Sequence, residues 1–577
     1  MFTKVLVTNR GEIAVRVIRA CRELGIKTVA VYSDLDRNSL HTRLADESFA
    51  LGGTTASESY LNIPKILEIL EKSGADAVHP GYGFFSENAE FAKTITTKGV
   101  HFIGPPVEAI QIMGDKISAR RAAEKVGVDG VPGTTDFIEH PSEVADFADQ
   151  YGYPIAIKAA FGGGGRGMKV VESNDAIQGA IESAQREALA YFGRDELYIE
   201  RYLTNPRHIE VQILADSHGN TIHLGTRDCS AQRRHQKLIE EAPAPGIDPK
   251  ILNAMGEAAV AVAEGCGYVN AGTVEFLYEN EDFYYLEMNT RLQVEHPVTE
   301  MVTGIDLVQQ QLLVAQGDEL QFTQDDVQLR GHAIEVRINA EDPAEGEFLP
   351  SPGKLEKLKL PAGFGTRWDG GYEEGDEISQ FYDNLVGKLI CWGETRQIAI
   401  ARTVRALDEF QIEGLHTTIP ADRAILTHAD FGNLEHSTKW VEDVLDLTGI
   451  RGSSQPNSSS EPNLIHRSAD IEVDGKLFNV AMWFPDNSGR IRRNASSSSG
   501  NSGGGDGKIA VPMQGTIVKV MTEVGASVSS GDVLVVLEAM KMENNVTSDV
   551  AGTVSEINVT TGDSVGAGDI VIVIEMT

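Results

Sequence analysis

The sequence predicts a multidomain α/β and α+β chain: a doubly wound N-terminal domain, a mixed body, and an all-β domain at the C-terminal end. Three observations lead there. Strand and helix patterns alternate through the first hundred residues, which is the signature of a parallel sheet covered on both faces. Residues 515 to 538 recur at 552 to 575 with a constant offset of 37, and nine of the 24 positions are identical, so the C-terminal part is a duplicated strand–turn–strand unit. The chain has 577 residues, too many for one hydrophobic core, and two serine-rich and glycine-rich stretches interrupt it near 452–460 and 494–507.

Taken in order, Val5-Leu6-Val7 reads as the first strand, residues 8 to 12 as a loop, and the next stretch as a helix to about Leu24. Residues 28 to 32, 75 to 78 and 100 to 103 are further strands, each reached through a helical stretch. That places a doubly wound domain at 1–114. No GxGxxG lies in this region, which argues against a dinucleotide site. The loop His79-Pro80-Gly81-Tyr82-Gly83-Phe84 follows a strand's carboxyl end, where such sheets place ligands. A unit at about 131–203 is centred on the strand ending in Lys158 and on the run Gly162 to Gly167. Hairpins and helices then mix to about 448. The stretch 449–507 reads as linker around a short strand pair, 471–475 and 478–482. As a flexible coil, residues 494–507 span roughly 20 Å on average.

In the duplicated unit Gly525 and Gly531 bracket one turn, and Gly562 and Gly568 its counterpart. Two copies predict a small pseudo-symmetric sandwich at 508–577, with Lys541 at the connection between them. Lys541 sits in Glu538-Ala539-Met540-Lys541-Met542-Glu543. A tight turn has no use for apolar residues beside an exposed lysine, although a solvated lysine at a hairpin tip is the ordinary reading.

Composition narrows the function. Hydrophobic content of 41% and charged content of 23% are those of a soluble globular protein. The net charge of -35 argues against nucleic acid and anionic membranes as partners. Cys21, Cys229, Cys266 and Cys391 form no CxxC pair and read as reduced thiols. With no signal peptide or membrane-length apolar run in view, a cytoplasmic protein is expected.

Three constellations carry chemistry. The run Gly162-Gly163-Gly164-Gly165-Arg166-Gly167 costs conformational entropy and offers backbone N–H groups to a phosphate, with Lys158 nearby to neutralise it. GxxxxGK[ST] is absent, so this is no Walker A loop. Glu275 lies in one strand pattern and Glu287 and Asn289 in the next, joined through residues 279 to 282 as a hairpin. Glu287 and Asn289 share a face, and a facing Glu275 would complete a set of hard oxygen ligands suited to magnesium on nucleotide phosphates. A solvated polar face is the plain alternative. In Arg291-Leu292-Gln293-Val294-Glu295-His296, a cation and a carboxylate four apart could bind a small anion and remove its proton, or could simply pair with each other. Arg337 sits in an alternating strand, and spacing alone assigns it no role.

The hexapeptide around Lys541 resembles the attachment sequence of biotin carrier domains. A lipoyl domain has the same organisation, but the methionine pair favours biotin. The stretches 79–88, 158–168, 232–237, 287–299, 335–342 and 382–389 resemble biotin carboxylase, an ATP-grasp ligase. Together the two resemblances cover nearly everything except about 450 to 507. They imply an ATP-grasp domain at 115–330 with its lid at about 131–203, a biotin carboxylase C-terminal domain at 331–448, and a biotinyl domain at 508–577.

The resemblance also implies roles. Lys116, Lys158, Gly163, Gly164, Gly165, Glu200, Leu203, His208, Gln232 and His235 are similar to the family's ATP contacts. Glu275, Glu287 and Asn289 correspond to its magnesium or manganese ligands, and Lys237, Arg291, Gln293 and Val294 to its bicarbonate pocket. Glu295 corresponds to the base that deprotonates bicarbonate, and Arg337 to the residue that holds biotin and stabilises its enolate. Catalysis is thus expected at Lys237, Arg291, Glu295 and Arg337, with biotin amide-linked to Lys541 and the glycine loop mobile without nucleotide.

The implied protein is the α subunit of an acyl-CoA carboxylase, as in fatty acid biosynthesis, acting for acetyl-CoA, propionyl-CoA or a longer acyl-CoA. Only about 60 residues separate the two recognised parts, which leaves no room there for a carboxyltransferase domain. A separate carboxyltransferase β subunit, a biotin protein ligase and assembly as a homo-oligomer are therefore expected, with the strand pair near 471–482 either docking that subunit or acting as a spacer. An ATP-grasp ligase of other specificity with a lipoyl-like arm, and a non-catalytic carrier scaffold, are the two other classes. Bicarbonate-dependent, biotin-stimulated ATP hydrolysis separates them.

Overall fold

The computed structural model describes residues 2–134, 137–159, 168–192, 194–450, 464–473, 476–485, 507–511, 515–539, 542–566 and 569–576. The chain divides into two units, one of residues 1–412 and 417–452 and the other of residues 453–577 with 413–416.

The first unit opens with a five-stranded sheet in the order Glu47–Ala50, Lys27–Tyr32, Lys4–Val7, Ala77–His79, His101–Phe102, every pair parallel. This is the doubly wound sheet read from the sequence, with an added edge strand, Glu47–Ala50. The helix Gly11–Glu23 covers one face, burying Ile13, Ala14, Val17, Ile18 and Cys21. Asn62 and Asn88 cap the next long helices by accepting from the backbone N–H of Lys65 and Phe91. The loop 79–84 is held by Asn9, whose Nδ2 donates to the carbonyls of Pro80 at 2.6 Å and Tyr82 at 2.7 Å. Gly81 is required there: its φ is +64°, and a Cβ would lie 2.9 Å from Asn9 Nδ2.

An antiparallel eight-stranded sheet forms the body. Its order is Asp282–Asn289, Asn270–Glu279, Arg207–Ala215, Thr221–Arg233, Gln236–Ala242, His332–Asn339, Leu385–Gly393, Thr366–Gly370. It draws strands from both sides of residue 330. The period of two assigns its faces. Ile209, Val211, Ile213, Val274, Phe276 and Met288 pack with Met255, Ala259 and Val262 of the helix Pro249–Gly265. The alternate residues, including Glu210, Gln212, Thr273, Glu275 and Asn289, turn to the other face and are buried there too. A sheet apolar on one face and densely polar on its buried opposite face spends folding energy on the second, which marks it as the functional side.

A smaller antiparallel sheet, Met168–Val171, Ile155–Ala159, Leu197–Arg201, packs with helices Pro141–Tyr151 and Ile177–Phe192 around a core of its own. The glycine loop, with Gly163, Gly164 and Gly165, lies outside the described residues.

In the second unit the strand pair is longer than predicted, Leu464–Val473 against Lys476–Pro485. The C-terminal domain is two four-stranded sheets. One is Lys508–Ala510, Ile570–Met576, Gly552–Ile557, Ser527–Val528, and the other Met542–Thr547, Val533–Ala539, Gly515–Val520, Ser564–Val565. The offset of 37 carries Gly515–Val520, Ser527–Val528 and Val533–Ala539 onto Gly552–Ile557, Ser564–Val565 and Ile570–Met576, each in the opposite sheet. The repeat is therefore a two-fold exchange of strands. Between the sheets lie Ile517, Leu534, Leu537, Val554, Val571 and Ile572. Leu537 is fully buried, so Leu537→Ala is expected to cost about 2–5 kcal/mol. Hydrogen exchange in 533–539 and 570–576 should accelerate, with the core of residues 1–450 unchanged; equal protection in both proteins would contradict this core. Ala539 pairs with Met542, and the two residues between them, Met540 and Lys541, lie outside the described residues.

Among the described residues no helix is long and apolar enough to cross a membrane.

Candidate active site

The polar face of the large sheet presents a ladder across four strands: Glu287 opposite Glu275, Glu275 opposite Glu210, and Glu210 opposite Arg227. Glu279 to Asp282 form the predicted hairpin, with Asn280 and Glu281 at positive φ in the two-residue turn. Three carboxylates side by side repel unless cations intervene. Arg227 supplies one. It is fully buried, ion-paired with Glu210 through Nε, and its Nη atoms donate to Gln212, Thr299, Thr273 and Gln293 at 2.6–3.1 Å, so its donor set is filled.

Lys237 supplies the second. Its Nζ donates to Glu210 at 2.7 Å, Glu275 at 3.0 Å and Glu295 at 2.7 Å. Burial would lower its pKa, but the carboxylates and neighbouring groups hold it well above the usual lysine value. Glu275 also accepts from Asn289 Nδ2 at 2.8 Å and Gln293 Nε2 at 2.7 Å, and lies 2.9 Å from His208 Nε2. Burial opposes its ionisation, yet Lys237 and His208 hold its carboxyl well below the ordinary range.

Glu287 behaves differently. It is an exposed residue with no ion-pair partner among the described residues, and its carboxyl is raised by partial loss of solvent and by Glu275, with Lys116 offsetting part. An uncompensated acid beside Glu275 and the Asn289 oxygen is a donor set that a hard divalent cation fits. Lys116 begins the helix Lys116–Lys125, capped by Asp115.

Glu295 is buried between two cations, Lys237 and Arg337, whose Nη2 donates to Glu295 Oε2 at 3.0 Å. Burial opposes charge there, but Lys237, Arg337 and Arg227 hold the carboxyl well below its ordinary value. Arg337 Nε donates to Glu240 at 2.5 Å. The predicted Arg291 and Glu295 do not pair with each other. Arg291 instead donates to Glu87 at 3.0 Å and to Asn289 Oδ1 at 3.0 Å. The Val294 carbonyl accepts from the fully buried Lys388 at 2.7 Å.

The remaining predicted residues lie around this centre. Lys158 and Glu200, on neighbouring strands of the small sheet, form an ion pair, with Arg120 Nη1 3.5 Å from Glu200. Leu203 is buried, and its carbonyl accepts from Lys439 Nζ at 3.1 Å. Gln232 is buried opposite Lys237, while His235 is exposed at the hairpin turn with φ 63°. Lys541 and glycines 163 to 165 cannot be placed relative to the centre, being outside the described residues.

Sequence reading missed Glu87, Glu210, Arg227, Glu240 and Lys388. A signal existed for Glu210: polar residues at 208, 210 and 212 alternate with Ile209, Val211 and Ile213, and all six are buried. Strands with two buried faces, one of them polar, are rare enough to mark a site.

Family models match nearly the whole chain. Residues 1–110 match biotin carboxylase, N-terminal domain; 115–323 the carbamoyl-phosphate synthase L chain, ATP binding domain; 335–443 the biotin carboxylase C-terminal domain; and 507–574 biotin-requiring enzyme. The biotin-dependent acyl-coenzyme A carboxylase alpha3 subunit of Mycobacterium leprae is 48% identical over 94% of this chain and 94% of its own length. A pyruvate carboxylase subunit of Methanothermobacter thermautotrophicus is 54% identical over 77% of this chain and 90% of its own. Among solved structures, the biotin carboxylase domain dimer of the Hydrogenobacter thermophilus 2-oxoglutarate carboxylase, in complex with MgADP, ADP and bicarbonate, aligns with a TM-score of 0.70. It is 44% identical and covers 77% of this chain and 97% of that one.

Proposed function

The chain belongs to the biotin-dependent carboxylase family as an ATP-dependent biotin carboxylase with a biotinyl domain, and from that premise we propose that it is the α subunit of an acyl-CoA carboxylase. In this reading it carboxylates biotin carried on its own Lys541, and a separate carboxyltransferase β subunit passes the carboxyl group to acetyl-CoA, propionyl-CoA or a longer acyl-CoA. A biotin protein ligase attaches the biotin, and the protein works in the cytoplasm as a homo-oligomer. The acyl-CoA assignment rests on the similarity to the acyl-CoA carboxylase relative, which runs through the body and the biotinyl domain alike. Pyruvate is the second acceptor to test, because the pyruvate carboxylase relative is 54% identical over 443 residues. Transfer of labelled carboxyl from the loaded chain to each acceptor, with the β subunit present, decides between them.

The observation that carries the chemistry is Glu295 held between Lys237 and Arg337. Glu275, Glu287 and Asn289 would hold magnesium (manganese equally), which when bound neutralises phosphate oxygens of ATP. Lys116, Lys158, Glu200, Leu203, His208, Gln232, His235 and the loop at 163–165 would hold the nucleotide, with residues 131–203 as a lid that excludes water. Lys237, Arg291, Gln293 and Val294 would hold bicarbonate, and Glu295 would take its proton as the oxygen attacks the γ-phosphorus of ATP and ADP leaves, giving carboxyphosphate, which breaks to carbon dioxide and phosphate. Held by both cations, Glu295 is ionised but weakly basic. An anion that draws Lys237 toward itself weakens that grip and raises the basicity of Glu295 at the moment it is needed. Biotin, when attached, would supply a ureido nitrogen that gives its proton to the released phosphate and bonds the carbon of carbon dioxide, and Arg337 would place a guanidinium beside the oxygen that gains charge.

Arg337→Ala should therefore leave bicarbonate-dependent ATP cleavage partly intact while cutting label transfer from bicarbonate to biotin by about 10²-fold or more. Equal loss of the two would refute this role.

A further inference from the structure

Glu240 has no place in the binding sets above, yet it makes the shortest contact to Arg337. Resting on the reading of Arg337 just given, we propose that Glu240 is the positioning residue for Arg337, fixing the guanidinium plane that meets biotin while Glu295 stays bound to the nucleotide half of the site.

The strand register puts Glu240 opposite Glu335, and Arg337 opposite Lys388. Directly opposed residues share a face, as do residues two apart, so all four side chains project together. Glu240, Glu335 and Lys388 are fully buried. Arg337 divides its donors: Nε to Glu240 Oε1 at 2.5 Å and Nη2 to Glu295 Oε2 at 3.0 Å. Nη1 donates to no other described residue, so that corner of the guanidinium is left for a ligand. Two fixed points, Glu240 on a strand and Glu295 in the turn before the helix His296–Thr303, define the plane, whereas Glu295 alone would leave the group free to swing about one bond.

The site tolerates this second carboxylate because burial disfavours charge on its neighbour. Glu335 has no hydrogen-bond partner on either oxygen, and burial raises its carboxyl well above the ordinary value. Glu240 is pushed up to about 7 by burial, with Arg337 opposing. Of the opposed pair, Glu240 is the one whose charge Arg337 favours directly. Lys388 is engaged elsewhere, with the Val294 carbonyl at 2.7 Å and Glu12 at 3.1 Å. It does not compete for Glu240.

The test uses the full-length biotinylated chain and two readouts: bicarbonate-dependent ATP cleavage, and label carried from bicarbonate to biotin. Glu240→Ala should lower label per ATP cleaved by about tenfold or more, the order that a misplaced group costs. Glu240→Gln retains an acceptor for Nε and should recover that ratio to within about threefold. In an Arg337→Ala background, Glu240→Ala should change the ratio no further, since the pair acts through one group. Should the alanine variant fail to fold, Glu240→Asp carries the same test, because it withdraws the carboxylate from Nε. A proportional fall in both readouts, or an unchanged ratio, would overturn the proposal for Glu240. If Arg337→Ala itself leaves the ratio unchanged, the reading of Arg337 fails instead.

Discussion

Lys541→Arg, co-expressed with a biotin ligase, should emerge with no biotin adduct, whereas the parent chain should gain one. Attachment acylates a primary amine, and a lysine ammonium can lose its proton to become a nucleophile, while a guanidinium keeps its charge in proteins and does not. The substitution preserves length and charge. It leaves untouched the paired strands on either side, where Glu538 meets Glu543 and Ala539 meets Met542, so the sandwich core should show the parent's hydrogen-exchange protection. The functional loss should be complete for label bound to the chain. Bicarbonate-dependent ATP cleavage stimulated by free biotin should persist, because the residues proposed for catalysis all lie in the other unit. Intact mass is the deciding measurement. An adduct surviving the substitution would move the attachment point elsewhere and remove the basis for reading residues 508–577 as the carrier.

Glu295→Gln should suppress ATP cleavage and biotin carboxylation together, by about 10²–10⁴-fold, the range for loss of a positioned general base. Glu295 is the one group here bonded to both Lys237 and Arg337. An amide there keeps the shape but loses the charge and the ability to take a proton from bicarbonate. It also leaves Lys237 with Glu210 and Glu275, and Arg337 with Glu240, so the fold should survive with reduced stability. The sign of the acid dependence follows. Glu295 has a folded pKa depressed below its unfolded value near 4.3. The stability its two cations add is therefore present above that pH and lost as pH falls below it. The variant should lack that share of the parent's acid sensitivity, read from melting temperature against pH. Normal ATP cleavage by Glu295→Gln would refute the assignment of the base.

The legible parts of the fold were those written locally. The parallel sheet of the first hundred residues announces itself because each strand is a short apolar run and each crossover helix has its own apolar stripe. Glu47–Ala50 escaped because four alternating residues at a sheet edge, half of them exposed, resemble a loop. The hairpin carrying Glu275, Glu287 and Asn289 was readable because its two strands are joined by two residues, which sets the register. Arg227, Glu240 and Lys388 were not assigned, since each draws its partners from segments far along the chain.

From the sequence alone came the element types, the duplication at an offset of 37, the hairpin that opposes two glutamates, and a family resemblance strong enough to name a nucleotide site and a tethered lysine. Tertiary structure alone decided how the charges are shared out: Lys237 with three carboxylates, Arg291 turned to Glu87, and Arg337 forked between Glu240 and Glu295. The reason is physical. Periodicity and turn chemistry act over a few residues and leave a trace in any short window. The partner of a buried charge is chosen by strand order and register, which depend on the burial of surfaces contributed by the whole chain.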